Sequence, residues 1–304
     1  MCKPDTIIMY AKPIVDAIKL DLTNDIIRKT NNDDGIIRYH HRPHLHIIRN
    51  RNDFASTRYV KHKQNMATDV GINVSVYSID ENTTYDELEN HIKEMNNNPA
   101  VHGIILQLPL PKHLTYLTSI IVDKINPMKD VDGLTRENKS KLTTSMFHYI
   151  PCTPRGILML LNYYKIPTVD RSVVILGRSD LVGRPLAKIL SSSPYDAMVT
   201  LVHSKISNHL RNEVLKNADI IISATGSRHT INTGNNSIFN PTIIDVGINS
   251  DENGKLCGDV DYDCVVQDCH AITPVPGGVG PMTVISLMQN VYTAWQTQET
   301  LWYQ

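Results

Sequence analysis

Short apolar runs alternate with helical stretches along this chain, and after a proline-rich break the alternation starts again. His44–Asn50 reads as a buried strand, Ile72, Val74 and Val76 alternate as a strand does, and residues 101–108 are almost continuously apolar. Runs of that last kind suit parallel strands covered on both faces. Between them, Ile14, Val15, Ile18, Leu22 and Ile26 recur at helical spacing over 12–30, and 55–70 reads as a helix stopped by Gly71. Thr84 and Glu87 form a capping box that opens a helix with Leu88, Ile92 and Met95 on one face. Beyond Pro151 and Pro154 the pattern returns, with strands at 173–176, 198–202, 219–224 and 242–246 and helices at 184–190 and 206–217. Strands separated by helices imply an α/β fold with parallel sheet. A break near residue 150 predicts two such domains.

The 304 residues are ample for that pair, and 30 basic against 31 acidic side chains nearly cancel. Nothing in that balance points to nucleic acid or a membrane surface as partner. Five cysteines (Cys2, Cys152, Cys257, Cys264 and Cys269) are odd in number and irregular in spacing. They do not read as a disulfide framework, which favours a reducing compartment. Residues 1–18 lack the apolar core of a signal peptide and the Arg- and Ser-rich character of an organelle-targeting one. No apolar run approaches a membrane span. The expected location is the cytoplasm.

The strand at 173–176 runs into Gly177, a polar turn, Gly183 and a helix. Gly177 permits a tight turn, Gly183 lets the helix start approach closely, and a helix N-terminus offers free N–H groups to a phosphate. Two glycines six apart fit an ordinary β–α turn equally well. An NAD site usually places an acid near the end of the following strand, for the ribose 2′-hydroxyl. Here that strand ends in Val202, His203, Ser204 and Lys205, with Arg178 in the preceding turn. A basic, hydroxyl-bearing pocket suits the 2′-phosphate of NADP, with NAD the other candidate; alternatively, Lys205 merely faces solvent.

Tyr59 and Lys63 share one helix face, as a solvated edge also would. Gln107 sits near the carboxyl end of an apolar strand, where open α/β sheets bind ligands, unless it only satisfies loop backbone. Asp130 and Asp132 flank Val131 in a charged loop; they read as a solvated turn or as paired carboxylates with no third ligand nearby. Cys257, Cys264, Cys269 and His270 match no common zinc spacing, so no metal is expected. Residues 273–283 are the most distinctive stretch, a proline- and glycine-rich loop that exposes backbone N–H groups, with Pro281 starting a helix.

Taken in order, these segments resemble the bifunctional methylenetetrahydrofolate dehydrogenase/methenyltetrahydrofolate cyclohydrolases. The matching pieces are 59–63, 103–111, 129–133, 151–156, 177–179, 182–185, Asp245 to Asn249, Gly258 to Val260, and 273–283. Together they span roughly residues 50–290. The resemblance implies two α/β domains with an active-site cleft between them, the second Rossmann-like. Residues 1–150 and 275–304 would bind folate and 151–274 NADP. Lys63 would carry the central proton transfer, with Tyr59 orienting the folate, Gln107 positioning Lys63, Asp132 binding the pterin donor nitrogens and Ser56 supporting the helix. Val60, Leu106, Leu108, Pro276, Gly277, Gly278, Gly280, Pro281 and Thr283 would line the folate site. Gly177, Arg178, Ser179, Ser204 and Ile248 would contact NADP. Such enzymes oxidise the methylene bridge and then hydrolyse the methenyl product to 10-formyltetrahydrofolate; a lysine beside that cation is suited to proton transfer. A homodimer is implied.

The family usually carries Gly and Pro in the loop before Ser56, and here Arg51 and Phe54 stand near those positions; Ser140 replaces a usual glycine after the Asp132 loop, and Lys61 and His62 add charge beside Lys63. These departures leave two alternatives: a dehydrogenase without hydrolysis, and a folate- or nucleotide-binding protein without turnover.

Overall fold

A computed structural model describes residues 6–30, 42–142, 149–232 and 239–301, excluding the side chains of Phe54 and Ala55. Cys2 lies outside the described residues. In chain order the first elements are β1 (Ile7–Ile8), α1 (Lys12–Thr30), β2 (His44–Asn50), α2 (Phe54–Asp69), β3 (Asn73–Ile79), α3 (Tyr85–Asn97) and β4 (Gly103–Gln107). A 3-10 turn, α4 (Thr118–Val122), α5 (Arg136–Ser140) and α6 (Cys152–Tyr163) follow. Then come β5 (Ser172–Leu176), α7 (Gly183–Leu190), β6 (Met198–Val202), α8 (Asn208–Lys216), β7 (Ile220–Ser223) and β8 (Thr242–Asp245). The chain closes with a small hairpin of β9 (Asn249–Ser250) and β10 (Leu256–Cys257), then α9 (Tyr262–Val265), β11 (Ala271–Ile272) and α10 (Val279–Leu301).

Internal contacts divide the chain into two units, Asp16–Cys152 with Val284–Gln304, and Met1–Val15 with Thr153–Thr283. Residues 6–15 and 275–283 group with the second of these units. The reason for the first is β1, whose Ile7 and Ile8 pair with Ala271 and Ile272. The division falls inside α1 and α10, so long helices carry the chain from one unit to the next.

The three-stranded unit has parallel strands in the order β3-β2-β4. Its core gathers Ile48, Ile79, Leu88, Ile92, Ile104 and Leu106, all nearly inaccessible. The capping box is present: Thr84 Oγ1 accepts from Glu87 N at 3.2 Å and Glu87 Oε2 from Thr84 N at 2.8 Å. Gly71, at φ +82°, ends α2, and Ile72 N donates back to Ala67 O at 2.8 Å in a Schellman-type closure. Lys129 caps the other end of α3, donating to Met95 O at 3.0 Å and Asn98 O at 2.7 Å. Burial lowers its pKa to about 8.

A histidine chain crosses the same unit. His44 Nδ1 faces Ala100 O at 3.1 Å and its Nε2 faces Ser75 Oγ at 2.8 Å. Ser75 Oγ also meets His46 Nδ1 at 2.7 Å, and His46 Nε2 meets His91 Nε2 at 2.8 Å. A carbonyl only accepts, so His44 carries its proton on Nδ1. One arrangement with every ring neutral then satisfies each link, running from His91 through His46 and Ser75 to His44.

The six-stranded unit is a parallel sheet in the order β1-β11-β8-β7-β5-β6. Its core includes Val174, Leu176, Val202, Ile221, Ile243 and Ile272. The helix expected over 206–217 starts at Asn208, because Ser207 Oγ accepts from Leu210 N and caps it. α10 begins at Val279, so Pro281 lies in its first turn instead of opening it.

Candidate active site

In the three-stranded unit β2 is flanked on one side by β3 and on the other by β4, which makes the carboxyl ends of β2 and β4 the ligand-binding end of the sheet. α2 leaves from there. Asp53 caps it, accepting from Ser56 N at 3.1 Å, and Ser56 Oγ turns back to Asp53 O at 3.0 Å. Arg51 donates its N–H to Ile79 O at 2.9 Å and reaches Asp80 at 3.5 Å. Two turns along α2, Lys63 is only 4% exposed and its Nζ lies 4.9 Å from the centre of the Tyr59 ring. Lys63 Nζ donates to Gln107 Oε1 at 2.9 Å, and Gln107 Nε2 donates to Leu108 O at 3.1 Å. That second bond fixes the amide so that its oxygen faces the lysine. Val60 and Leu106 are buried, Leu106 within the core cluster.

The two carboxylates of the 129–133 loop divide their tasks. Buried Asp130 accepts from Leu134 N, Thr135 N and Asn138 Nδ2 at 2.8–3.1 Å, and burial raises its pKa. Asp132 is half-buried. Gly133, at φ +68°, packs against the backbone of Tyr149 and Pro151. Among the described residues no group of three or more His, Cys, Asp or Glu side chains could hold a metal ion.

In the six-stranded unit β6 lies on one side of β5 and β7 on the other, so the sheet's switch point is at the end of β5. Gly177 has φ +111°, and a Cβ there would run into Ala224 O; one at Gly183 would run into Gly177 O. The turn therefore requires both glycines. Ser179 Oγ accepts from Val182 N at 3.2 Å, Arg178 and Ser179 are exposed, and Asp180 is paired with Arg184 at 2.9 Å. Ser204 and Lys205 stand exposed at the end of β6 with no carboxylate between Val202 and Lys205. Ile248 presents its side chain to solvent, 63% exposed. Glycine cradle, switch point and acid-free second strand fit a phosphate-bearing dinucleotide. Residues 273–283 belong to this unit. Pro276 and Pro281 are exposed, Gly277 has φ +111°, and a Cβ on Gly280 would meet nothing. Gly278 packs on Thr273 and Pro274, and Thr283 Oγ1 donates to Thr153 Oγ1 at 3.1 Å.

Two further groups escaped the sequence reading. Asp245 accepts from Gly247 N, Asp259 N and Val260 N at 2.9–3.0 Å; burial nevertheless pushes its pKa up to about 6. Asp259, beside it, takes six hydrogen bonds, from Ser223 at the end of β7, from the loop that follows and from Asn249 after β8. The signal for Asp259 was the glycine immediately before it: a Cβ on Gly258 would strike the Asp245 carboxyl, as one on Gly247 would strike the Asp259 carboxyl.

These features define a two-unit α/β protein with a dinucleotide-type site and a lysine-centred polar cluster. Residues 9–132 match the family profile "Tetrahydrofolate dehydrogenase/cyclohydrolase, catalytic domain", and residues 151–299 the one for its "NAD(P)-binding domain". The chain belongs to the tetrahydrofolate dehydrogenase/cyclohydrolase family. It is 43% identical over 262 residues to the bifunctional protein FolD of Chlamydia felis, covering 84% of this chain and 90% of that protein. The crystal structure of the bifunctional methylenetetrahydrofolate dehydrogenase/cyclohydrolase from Campylobacter jejuni is similar at a TM-score of 0.86 and 34% identity, covering 96% of this chain and 99% of that one. The Trypanosoma brucei enzyme, solved with NADP and an inhibitor, gives 0.88 and 30%, covering 97% and 99%.

Proposed function

We infer that this protein is a bifunctional one-carbon folate enzyme. It oxidises 5,10-methylenetetrahydrofolate to the 5,10-methenyl form with NADP, then hydrolyses that product to 10-formyltetrahydrofolate. The observation that carries this reading is the buried Lys63–Gln107 pair beside Tyr59, in a chain of this family. NADP, when bound, supplies the hydride acceptor.

The residues act as follows. Lys63 Nζ takes a proton as water attacks the methenyl carbon and returns one to the ring nitrogen that leaves. Gln107 holds that nitrogen in place. Tyr59 orients the folate, and Ser56 steadies the start of α2. Asp132 accepts from the aminopyrimidine edge through charge-assisted hydrogen bonds. Val60, Leu106 and Leu108 line the folate, while Gly177, Arg178, Ser179, Ser204 and Ile248 hold NADP. Lys63→Met tests this: methenyl absorbance should persist while NADP binding is unchanged. Ring opening at the wild-type rate would remove Lys63 from its role.

The protein acts as a homodimer in the cytoplasm. Supporting the first, β6 is an edge strand of the six-stranded sheet and carries Met198 at 66% exposure; sedimentation of the purified chain tests it. Supporting the second, the odd number and irregular spacing of the five cysteines do not read as a disulfide framework.

A further inference from the structure

Asp259 is fully buried, at 0% exposure, and its carboxylate meets only neutral donors. Oδ2 accepts from Thr225 N at 2.7 Å, Thr225 Oγ1 at 2.9 Å, Gly226 N at 3.2 Å and Ser223 Oγ at 3.2 Å. Oδ1 accepts from Ser227 N at 3.0 Å and Asn249 Nδ2 at 3.0 Å. One oxygen thus gathers the loop that leaves β7, and the other ties that loop to the one that leaves β8. Asp245 holds the backbone of Asp259 from behind, through Asp259 N at 2.9 Å and Val260 N at 3.0 Å. Six donors on one desolvated carboxylate make a costly arrangement for two surface loops to keep unless their shape matters.

Their place in the sheet says what the shape is for. In a doubly wound sheet the adenosine ribose lies at the end of the strand after the glycine turn, here β6 with Ser204 and Lys205. The second nucleotide lies across the switch point, over β7 and β8. The loops held by Asp259 leave those two strands, and Ala224 O is the atom against which Gly177 packs. Ile248, exposed between Gly247 and Asn249, rides on the same clamp.

We propose that Asp259 is a positioning residue for the nicotinamide half of the cofactor. Its carboxylate locks residues 224–227 and 247–249 into one surface on which that half lies, and it has no part in holding the adenosine half. The proposal rests on the dinucleotide reading of this unit.

Binding of NADP and of adenosine 2′,5′-bisphosphate to the full chain, measured by calorimetry, tests it. Asp259→Asn keeps the volume but turns an amide N–H₂ toward one set of N–H donors. NADP should bind about tenfold or more weakly, as the loss of charge-assisted hydrogen bonds implies, while the bisphosphate binds as in wild type. Hydrolysis of methenyltetrahydrofolate without cofactor should also be unchanged. Wild-type NADP affinity in Asp259→Asn overturns the proposal. If that variant loses both ligands equally, the milder Asn249→Ala decides: it must weaken NADP alone, and equal effects on both ligands overturn the proposal. A wild-type protein that binds neither ligand sinks the dinucleotide reading itself, a separate failure.

Discussion

The Lys63 ammonium and the Gln107 carbonyl oxygen are 2.9 Å apart in a place with almost no solvent, and the other end of the same amide is committed to Leu108 O. Lysine and glutamine therefore fix each other. Gln107→Leu would leave a buried ammonium without this acceptor. Stability should fall by about 1–3 kcal/mol, and hydrolysis of the methenyl substrate should drop by about a hundredfold or more. Urea denaturation and the methenyl absorbance assay check the two effects, and full activity in this variant would show that the pair is structural only.

Ser204→Asp restores the acid that NAD sites place at the end of the second strand. The added carboxylate repels a 2′-phosphate and binds a 2′-hydroxyl. The ratio of kcat/KM for NADP to that for NAD should fall by about a hundredfold. An unchanged ratio would place the 2′-phosphate elsewhere.

Gly177→Ala puts a methyl group against Ala224 O on a backbone at φ +111°. The turn must open or the loop after β7 must retreat. Dehydrogenase activity and NADP binding should be lost, while cofactor-free cyclohydrolase activity survives. Retained NADP affinity would contradict the cradle.

The histidine chain makes stability depend on pH. Burial, with neighbouring His91 and His44, lowers His46 from 6.5 to about 4, and burial lowers His44 and His91 as well. Between those values the unfolded chain holds more protons than the folded one. The contribution is complete above pH 6.5 and is lost as the pH falls toward 4. Asp245, raised from 3.8 to about 6, works in the opposite sense, so the comparison needs a variant. His46→Gln should be less stable at pH 7.5 yet lose less between pH 7 and 5, read as the shift in urea midpoint. Parallel slopes in the two proteins would count against the chain.

Some of this was legible because it is local. β2 falls at residues 44–50 as read, since its apolar run is bounded by turn residues on both sides. Lys63 and Tyr59 share a face by spacing alone, and Gln107 stood out as a polar group ending an apolar strand. The rest depends on register. Asp130 and Asp132 look alike in sequence, and only the turn to Leu134 and Thr135 separates the buried one from the available one. His44 and His46 read simply as strand residues, because Ser75 and His91 join them from another strand and a helix. β1 and β11, two residues each, are too short to carry a period.

That two-residue pairing has a consequence for how the protein is made. Ile7 and Ile8 leave the ribosome before every other strand of their sheet, and their partners, Ala271 and Ile272, follow only after those other strands have been synthesised. The outermost strand of the six-stranded sheet is among its earliest parts to be translated and one of the last able to dock. A nascent chain stalled before residue 271 holds a parallel sheet whose β8 edge is uncovered. Between the synthesis of β8 and that of β11 the growing polypeptide must therefore be kept from pairing that edge with a neighbour's.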